Sequence, residues 1–321
     1  MEEKFKQRIG YAGDIKDISL DICKNYNIGM FVSNKLVLVG YEDFNYILET
    51  SGGKFLVKVF ASFRDLAGCQ RYVEIIDKML ESGVSTPKLL ANSSGSCLHA
   101  IKVNGVNLRL CVMDFIEGKT FFESGDKLNE KERRFLAKEV AKINSVDIKP
   151  VFVDDEWAIV HFAREFKKKS RVLSKEDIKL VSPLVEEFSK LDIDKLPYCF
   201  VHGDVLVTNV IKDKNGKLWI IDFSVSNYYP RVQELAVLAC NLFFDEISRE
   251  RSENNIKILL EEYQKNVKLA SEELFLFPFF VKLAHAMHIL SASYEKVVKH
   301  NNSRENEYWL NQGRMGLKQF S

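Results

Sequence analysis

Several things are missing from this sequence, and each absence removes a class of function. The six cysteines, Cys23, Cys69, Cys97, Cys111, Cys199 and Cys240, lie far apart, with no C-x-x-C pair among them. That spacing excludes a ribbon-type metal site and a dense disulfide framework, and it suits a reducing cytosol. Charge of one sign is also missing: 46 basic residues face 45 acidic ones, for a formal net charge of +1. Such a balance sets up no field to gather nucleic acid or an anionic membrane, and neither is expected as a partner. The run Lys167-Lys168-Lys169 reads as a solvated helix face. No internal repeat and no low-complexity tract is present. The polar, charged stretch Met1 to Arg8 is not expected to be a secretory leader. The most apolar stretch, Glu273 to Leu290, carries Pro278, Lys282, His285 and His288, so it reads as a buried C-terminal helix and not a membrane span. A cytoplasmic location follows as the expectation.

What is present is an ordinary globular composition, 46% hydrophobic and 28% charged, over 321 residues, enough for two lobes. Residues 1–27 have the spacing of short amphipathic helices. Phe31 to Gly40, Asn45 to Thr50 and Lys54 to Phe60 then read as three strands of an antiparallel meander, split by turn residues such as Ser51-Gly52-Gly53. Residues 64–82 return to helical spacing and close at Gly83. Short strands follow at Lys88 to Ala91, Cys97 to Val103 and Asn107 to Phe115, with Asn104-Gly105 as a hairpin turn. Beyond Gly118 helical patterns dominate, at about 129–146, 155–173, 175–191, 231–247, 252–268 and 272–300. One island interrupts them, Tyr198 to Phe223. The expected organisation is a β-rich lobe over 1–113, a hinge at 114–118 and a helical lobe over 119–321.

The island carries the chemistry. Phe200-Val201-His202-Gly203-Asp204-Val205-Leu206-Val207-Thr208-Asn209-Val210 is followed by Lys217-Leu218-Trp219-Ile220-Ile221-Asp222-Phe223. Two apolar β-runs flank a polar loop, and each run ends where a carboxylate or amide can face a cleft. Phosphoryl transfer needs one carboxylate near the attacking hydroxyl and oxygen ligands for Mg²⁺. The H-x-D-x-x-x-x-N loop and the later I-D-F resemble the catalytic and metal-binding loops of the protein-kinase-like superfamily. The form His-Gly-Asp resembles the branch of aminoglycoside phosphotransferases and choline kinases. That resemblance implies an α+β, bilobal protein-kinase-like fold with a β-rich N-lobe and a mostly helical C-lobe. It gives Asp204 the role of orienting the hydroxyl or acting as base, gives His202 a bracing role, and makes Asn209 and Asp222 the Mg²⁺ contacts. Gly203 stands where protein kinases carry an Arg that reads an activation-loop phosphate. With Gly203, and without an A-P-E segment, a protein kinase is disfavoured.

The same resemblance places the remaining parts of a kinase. Lys58, in Leu56-Val57-Lys58-Val59-Phe60, is the expected phosphate-holding lysine, and Glu74 its expected partner, because an unpaired buried ammonium is costly. Met113, Asp114 and Ile116 fall at the hinge that would hold an adenine edge. Gly40 to Tyr46 occupies the place of the phosphate-covering loop, which makes Gly40 and Asn45 candidate nucleotide contacts. Only one glycine remains there. The segment resembles the E-x-x-N-Y and D-x-N segments of homoserine and hydroxylysine kinases. Glu42 and Asp43 are expected to point to solvent or towards the acceptor, since turned inward they would repel a triphosphate. Lys138 to Val146 is similar to the relatives' L-A-x-L-H-S helix end, with Asn144 in place of His. Pro230 to Ala236 is similar to P-x-x-x-D-L-A, with Glu234 in place of the acid that steadies the catalytic loop.

The implied activity is transfer of the γ-phosphoryl of ATP or GTP, with Mg²⁺, to a hydroxyl of a small metabolite of amino-acid or amino-alcohol kind. Phosphorylation of an aminoglycoside or macrolide antibiotic is the alternative within enzymes, and a nucleotide-binding pseudokinase scaffold the alternative outside them. For the acceptor, Arg231, Arg304 and Arg314 are candidate carboxylate partners, Tyr294, Tyr308 and Trp309 candidate cage residues, and Tyr228 and Tyr229 lie just beyond Asp222. Glu261, Glu262, Glu272 and Glu273 read as solvated helix acids. The sequence does not set the oligomeric state.

Overall fold

The computed structural model describes residues 2–37 and 43–320. The chain divides into two compact units, Met1–Gly118 with Asp213–Ile221, and Lys119–Lys212 with Asp222–Ser321.

In the first unit, α1 (Glu2–Ile9) and α2 (Ile15–Asn25) come first. Asp14 caps α2 by accepting the Lys16 N–H, and Ile15, Ile18 and Ile22 form its buried stripe. The meander follows as β1 (Phe31–Val37), β2 (Phe44–Thr50) and β3 (Gly53–Val59). Its register sets Phe44 opposite Val59 and Asn45 opposite Lys58. Phe44, Tyr46 and Leu48 alternate into the core along β2, the period-two pattern of a strand with one buried face. α3 (Leu66–Glu81) is capped by Asp65 and ends at Ser82, with Gly83 at φ +69° beyond it. β4 (Leu89–Leu90), β5 (His99–Val103) and β6 (Val106–Asp114) complete an antiparallel sheet of order β1-β2-β3-β6-β4, with β5 on β6. Asn104 and Gly105 both take positive φ, the two-residue hairpin turn that their side chains permit. The segment 213–221 belongs to this unit: Ile220 donates its N–H to Ser85 O (2.8 Å), and Ser85 Oγ donates to Leu218 O (2.7 Å).

β7 (Gly118–Thr120) leads onward, and Thr120 and Glu123 close a capping box on α4 (Phe121–Ser124). In the second unit, α5 (Glu130–Asn144) begins with a second capping box, Asn129 with Glu132. α6 (Phe162–Lys169) and α7 (Lys175–Phe188) follow, then the short strands β8 (Tyr198–Val201), β9 (Val210–Asp213) and, beyond β10 (Leu218–Ile220) of the first unit, β11 (Asn227–Pro230). The chain closes with α8 (Arg231–Cys240), α9 (Arg249–Tyr263), α10 (Ser271–Val298) and α11 (Arg304–Phe320). α10 is the central helix of this unit and packs against α6, α8 and α11. By length and composition it could cross a membrane, but 72% of its apolar window is buried inside the protein.

The structure departs from the sequence expectations in several places: the helix expected over 231–247 ends at Cys240 as α8, and Glu273, expected to be solvated, is buried. The helix expected over 155–173 is only α6, flanked by 3₁₀ turns at Ile159–His161 and Ser170–Val172. The basic run on it is not all solvated: Lys169 is buried, paired with Glu165 (2.9 Å) and bonded to Ser291 Oγ (3.1 Å). Finally, α11 has no counterpart in the helical periodicity. Its Gly313 and Gly316 look like breakers in sequence, yet they sit where α11 meets α10. A Cβ on Gly313 would stand 2.6 Å from His285 O and 3.0 Å from His288 Cβ.

Candidate active site

The loop from His202 to Asn209 is held at its ends by strands. β8 pairs antiparallel with β11, with Val201 opposite Asn227, so the chain enters the loop at His202 from a fixed edge. Asn144 donates to Phe200 O (3.0 Å) and accepts from Tyr263 Oη (2.8 Å). Asn144 therefore braces the strand before the loop from α5, with α9 behind it. His202 is fully buried, its ring 4.3 Å from that of Phe223, and its Nδ1 accepts the Asp204 N–H (3.1 Å). Ser226 Oγ donates to His202 O (3.2 Å). Gly203 lies at φ +83°, a left-handed conformation that favours glycine, so the backbone itself asks for Gly here. Its N–H donates to Glu234 Oε2 (2.9 Å) on α8. The extra methylene of Glu is thus accommodated, and burial pushes the Glu234 carboxyl up to about 7 while the Gly203 and His202 amides pull it back down.

The loop then delivers its polar groups. Asn209 donates through Nδ2 to Asp204 O (2.9 Å) and to Asp204 Oδ2 (2.7 Å). Its Oδ1 is thereby left as the acceptor atom of the amide. Val207 N–H donates to Asn241 Oδ1 (2.9 Å), which pins the middle of the loop. Asp222 takes φ +65°, an uncommon conformation for a residue with a side chain, and its Oδ1 accepts from Ser224 Oγ (2.5 Å) and Ser224 N (3.3 Å). Asp204 is the electrostatic focus. Its carboxyl is held well above the usual carboxylate range, first by burial, then by the negative charges of Asp155, Asp222 and Glu305; the Asn209 hydrogen bond opposes this. Asp155 and Glu305 were not among the sequence candidates. Each lies far from the island along the chain, one before α6 and one in the first turn of α11, so no local pattern marks them.

In the first unit, Lys58 does not meet Glu74. Glu74 is exposed on α3 and accepts from Gln70 Nε2 (3.2 Å), whereas Lys58 Nζ lies 3.1 Å from Asp43 Oδ2. The reason is register. Asn45 faces Lys58 across β2 and β3, and Asp43, two residues earlier, projects on that same face. Asp43 therefore does not point to solvent; it is 5% exposed. Asn45 is half-buried at the same edge, and Gly40 and Glu42 lie outside the described residues. At the end of the sheet Met113 is buried opposite Leu56 and Leu89. Asp114 donates its N–H to Lys88 O (2.9 Å) and exposes its side chain, and Ile116 is half-buried.

Two of the three arginines considered for an acceptor carboxylate are engaged. Arg231 forms an ion pair with the buried Glu273, and Arg314 binds Asp177 through two bonds of 2.8 and 2.7 Å. Arg304 is exposed, its guanidinium 5.2 Å from the Phe122 ring. Tyr229 Oη bonds to His161 Nε2 (3.1 Å), and Tyr228 is exposed. Trp309 is buried and hydrogen-bonded to Glu305, and its ring lies 5.1 Å from that of His288.

Known proteins share this architecture. An amicoumacin kinase, solved with AMP-PNP, Ca²⁺ and its antibiotic, is 16% identical over 99% of this chain and 96% of its own, with a TM-score of 0.70. A spectinomycin phosphotransferase, solved with ADP and spectinomycin, is 14% identical over 95% of this chain and 98% of its own, at 0.66. The choline kinase LicA from Streptococcus pneumoniae is 14% identical over 95% and 98%, at 0.61. These likenesses support the α+β, protein-kinase-like fold. The family pattern described as "phosphotransferase enzyme family" (APH) matches residues 34–266, and the chain belongs to that family of phosphotransferases.

Proposed function

We propose that this chain transfers the γ-phosphoryl group of ATP or GTP to a hydroxyl of a small cytoplasmic metabolite, an amino alcohol or hydroxylated amino acid. The observation that carries the proposal is the joining of Asp204 to Asn209 on a loop fastened by Glu234, Asn144 and Asn241. In the proposed reaction the acceptor oxygen bonds to the γ-phosphorus, the bond from that phosphorus to the bridging oxygen breaks, and the nucleoside diphosphate leaves. Asp204 orients the hydroxyl and takes its proton. A carboxylate held above its usual range is suited to that proton.

The residues present fit a divalent cation. Asn209 keeps its amide oxygen available while its NH₂ binds Asp204, and Asp222 is an oxygen donor fixed by Ser224. Mg²⁺ takes one or two protein oxygens and completes its shell with phosphates and water. Bound there it would neutralise charge on the phosphates. Lys58 is assigned to the non-transferred phosphates, on the family resemblance. An acceptor bearing an ammonium group is supported by the acids around Asp204, since Asp155 and Glu305 both bear on it.

The test is a coupled assay of ADP and GDP release over hydroxylated amino acids, amino alcohols, sugars, aminoglycosides and macrolides, with Asp204→Ala as the blank. An amine-bearing hydroxyl compound should stimulate wild type alone. Stimulation only by an antibiotic would replace the metabolite with that substrate. Silence across the panel, with nucleotide still bound, would leave a scaffold.

A further inference from the structure

We infer that Asp43, and not a carboxylate on α3, is the positioning residue for Lys58. The inference rests on the phosphate role proposed for that lysine. Three observations converge on Asp43, and a fourth fixes the lysine itself. Its Oδ2 lies 3.1 Å from Lys58 Nζ, and the two side chains are 2% and 5% exposed. Its Oδ1 is occupied separately, by the Ala61 N–H (3.0 Å) and Arg64 Nε (2.9 Å). Its carbonyl oxygen accepts from Arg8 Nη1 (3.2 Å). The Lys58 ammonium also lies 4.9 Å from the centre of the Tyr72 ring.

The division of labour between the two oxygens matters. A carboxylate bonded only to a lysine would move with it. Here one oxygen is anchored to the backbone just beyond β3 and to a guanidinium, so the other is a fixed point for the ammonium. A four-carbon side chain loses rotamer freedom when it is held at a phosphate, and a fixed partner means that much of this loss is met before nucleotide arrives. Glu74 offers no such device: it is exposed, and it bonds Gln70 one helical turn earlier. Strand register, not a helix, supplies the anion.

The test compares Asp43→Asn, Glu74→Gln and Lys58→Met, each checked for folding by its melting temperature. Nucleotide affinity is measured by calorimetry and turnover by diphosphate release. Lys58→Met tests the underlying role, and an unchanged nucleotide Kd there would end the phosphate assignment itself. Given a loss in Lys58→Met, Asp43→Asn should raise the nucleotide KM about tenfold or more, while Glu74→Gln matches wild type. Adding Asp43→Asn to Lys58→Met should then weaken binding no further. A merely structural Asp43 would lower the melting temperature without that dependence on Lys58. If Asp43→Asn does not fold, Asp43→Glu takes its place under the same criterion, since it keeps the charge but moves the carboxylate by a methylene. A lowered KM would mean that Asp43 competes with phosphate, and a raised KM in Glu74→Gln would return the role to α3. Either result overturns the inference.

Discussion

Glu234 shows how one residue ties stability to the loop from His202 to Asn209. Its carboxyl is pushed up to about 7 from an ordinary 4.5 by burial, against the pull of two loop amides. The native state therefore keeps a proton that the unfolded chain gives up. The stabilisation from this group is full below about pH 4.5 and is lost as pH rises through about 7, for a total of order 3 kcal/mol. Glu234→Gln removes the titration and keeps an acceptor for Gly203. The fall in melting temperature between pH 5 and pH 8 should therefore be smaller in Glu234→Gln than in wild type. Parallel profiles would show that Glu234 does not titrate in this range. Asp204, also held upward, adds a fall of the same sign to both proteins, so the difference between them isolates Glu234. At this scale the sequence was legible where partners are local. His202, Asp204 and Asn209 belong to one loop, and the spacing of that loop names them. Lys58 was legible as a lysine in need of an anion. Its partner was not, because choosing between Asp43 and Glu74 takes the register of two strands and the facing of a helix.

Among the elements, the contact of α10 with α11 was hardest to foresee. Gly313 in a helical window suggests an end, since glycine costs about 1 kcal/mol against alanine there. Yet it lies beside His285 O and Ile289, where even a methyl group would meet backbone. Gly313→Ala should therefore lower stability by roughly 2–3 kcal/mol through overpacking, read as a reduced midpoint in urea. A gain in stability, as for an exposed helix glycine, would contradict this packing. The same contact encloses the His285 ring among Phe244, Phe320 and Gly316, and burial there holds its pKa well below the usual histidine value. By contrast, the strands of the first unit were largely legible within the described residues, though β5 starts at His99 and not at Cys97. β2 alternates cleanly, and the Asn104-Gly105 turn announces its hairpin. α6 was overextended in sequence because amphipathic spacing runs on through its flanking 3₁₀ turns.

For the molecule as a whole, membership of a phosphotransferase family and a protein-kinase-like fold leave open which acceptor is bound, and the reason is physical. The residues proposed for phosphoryl transfer, His202, Asp204 and Asn209, share one short loop. The acids that bear on Asp204 come instead from Asp155 and Glu305, whose nearness arises only once the helical unit has folded. In the proposed reaction Asp204 acts in the transfer step and not in binding nucleotide. The direct measurement is single-turnover transfer from labelled ATP to the best acceptor, in wild type and Asp204→Asn, beside calorimetric Kd values for the Mg-nucleotide. The transfer rate in Asp204→Asn should be lower by about 10²–10⁴-fold, with the nucleotide Kd unchanged within about twofold. A transfer rate close to wild type, or a loss confined to nucleotide affinity, would contradict that role.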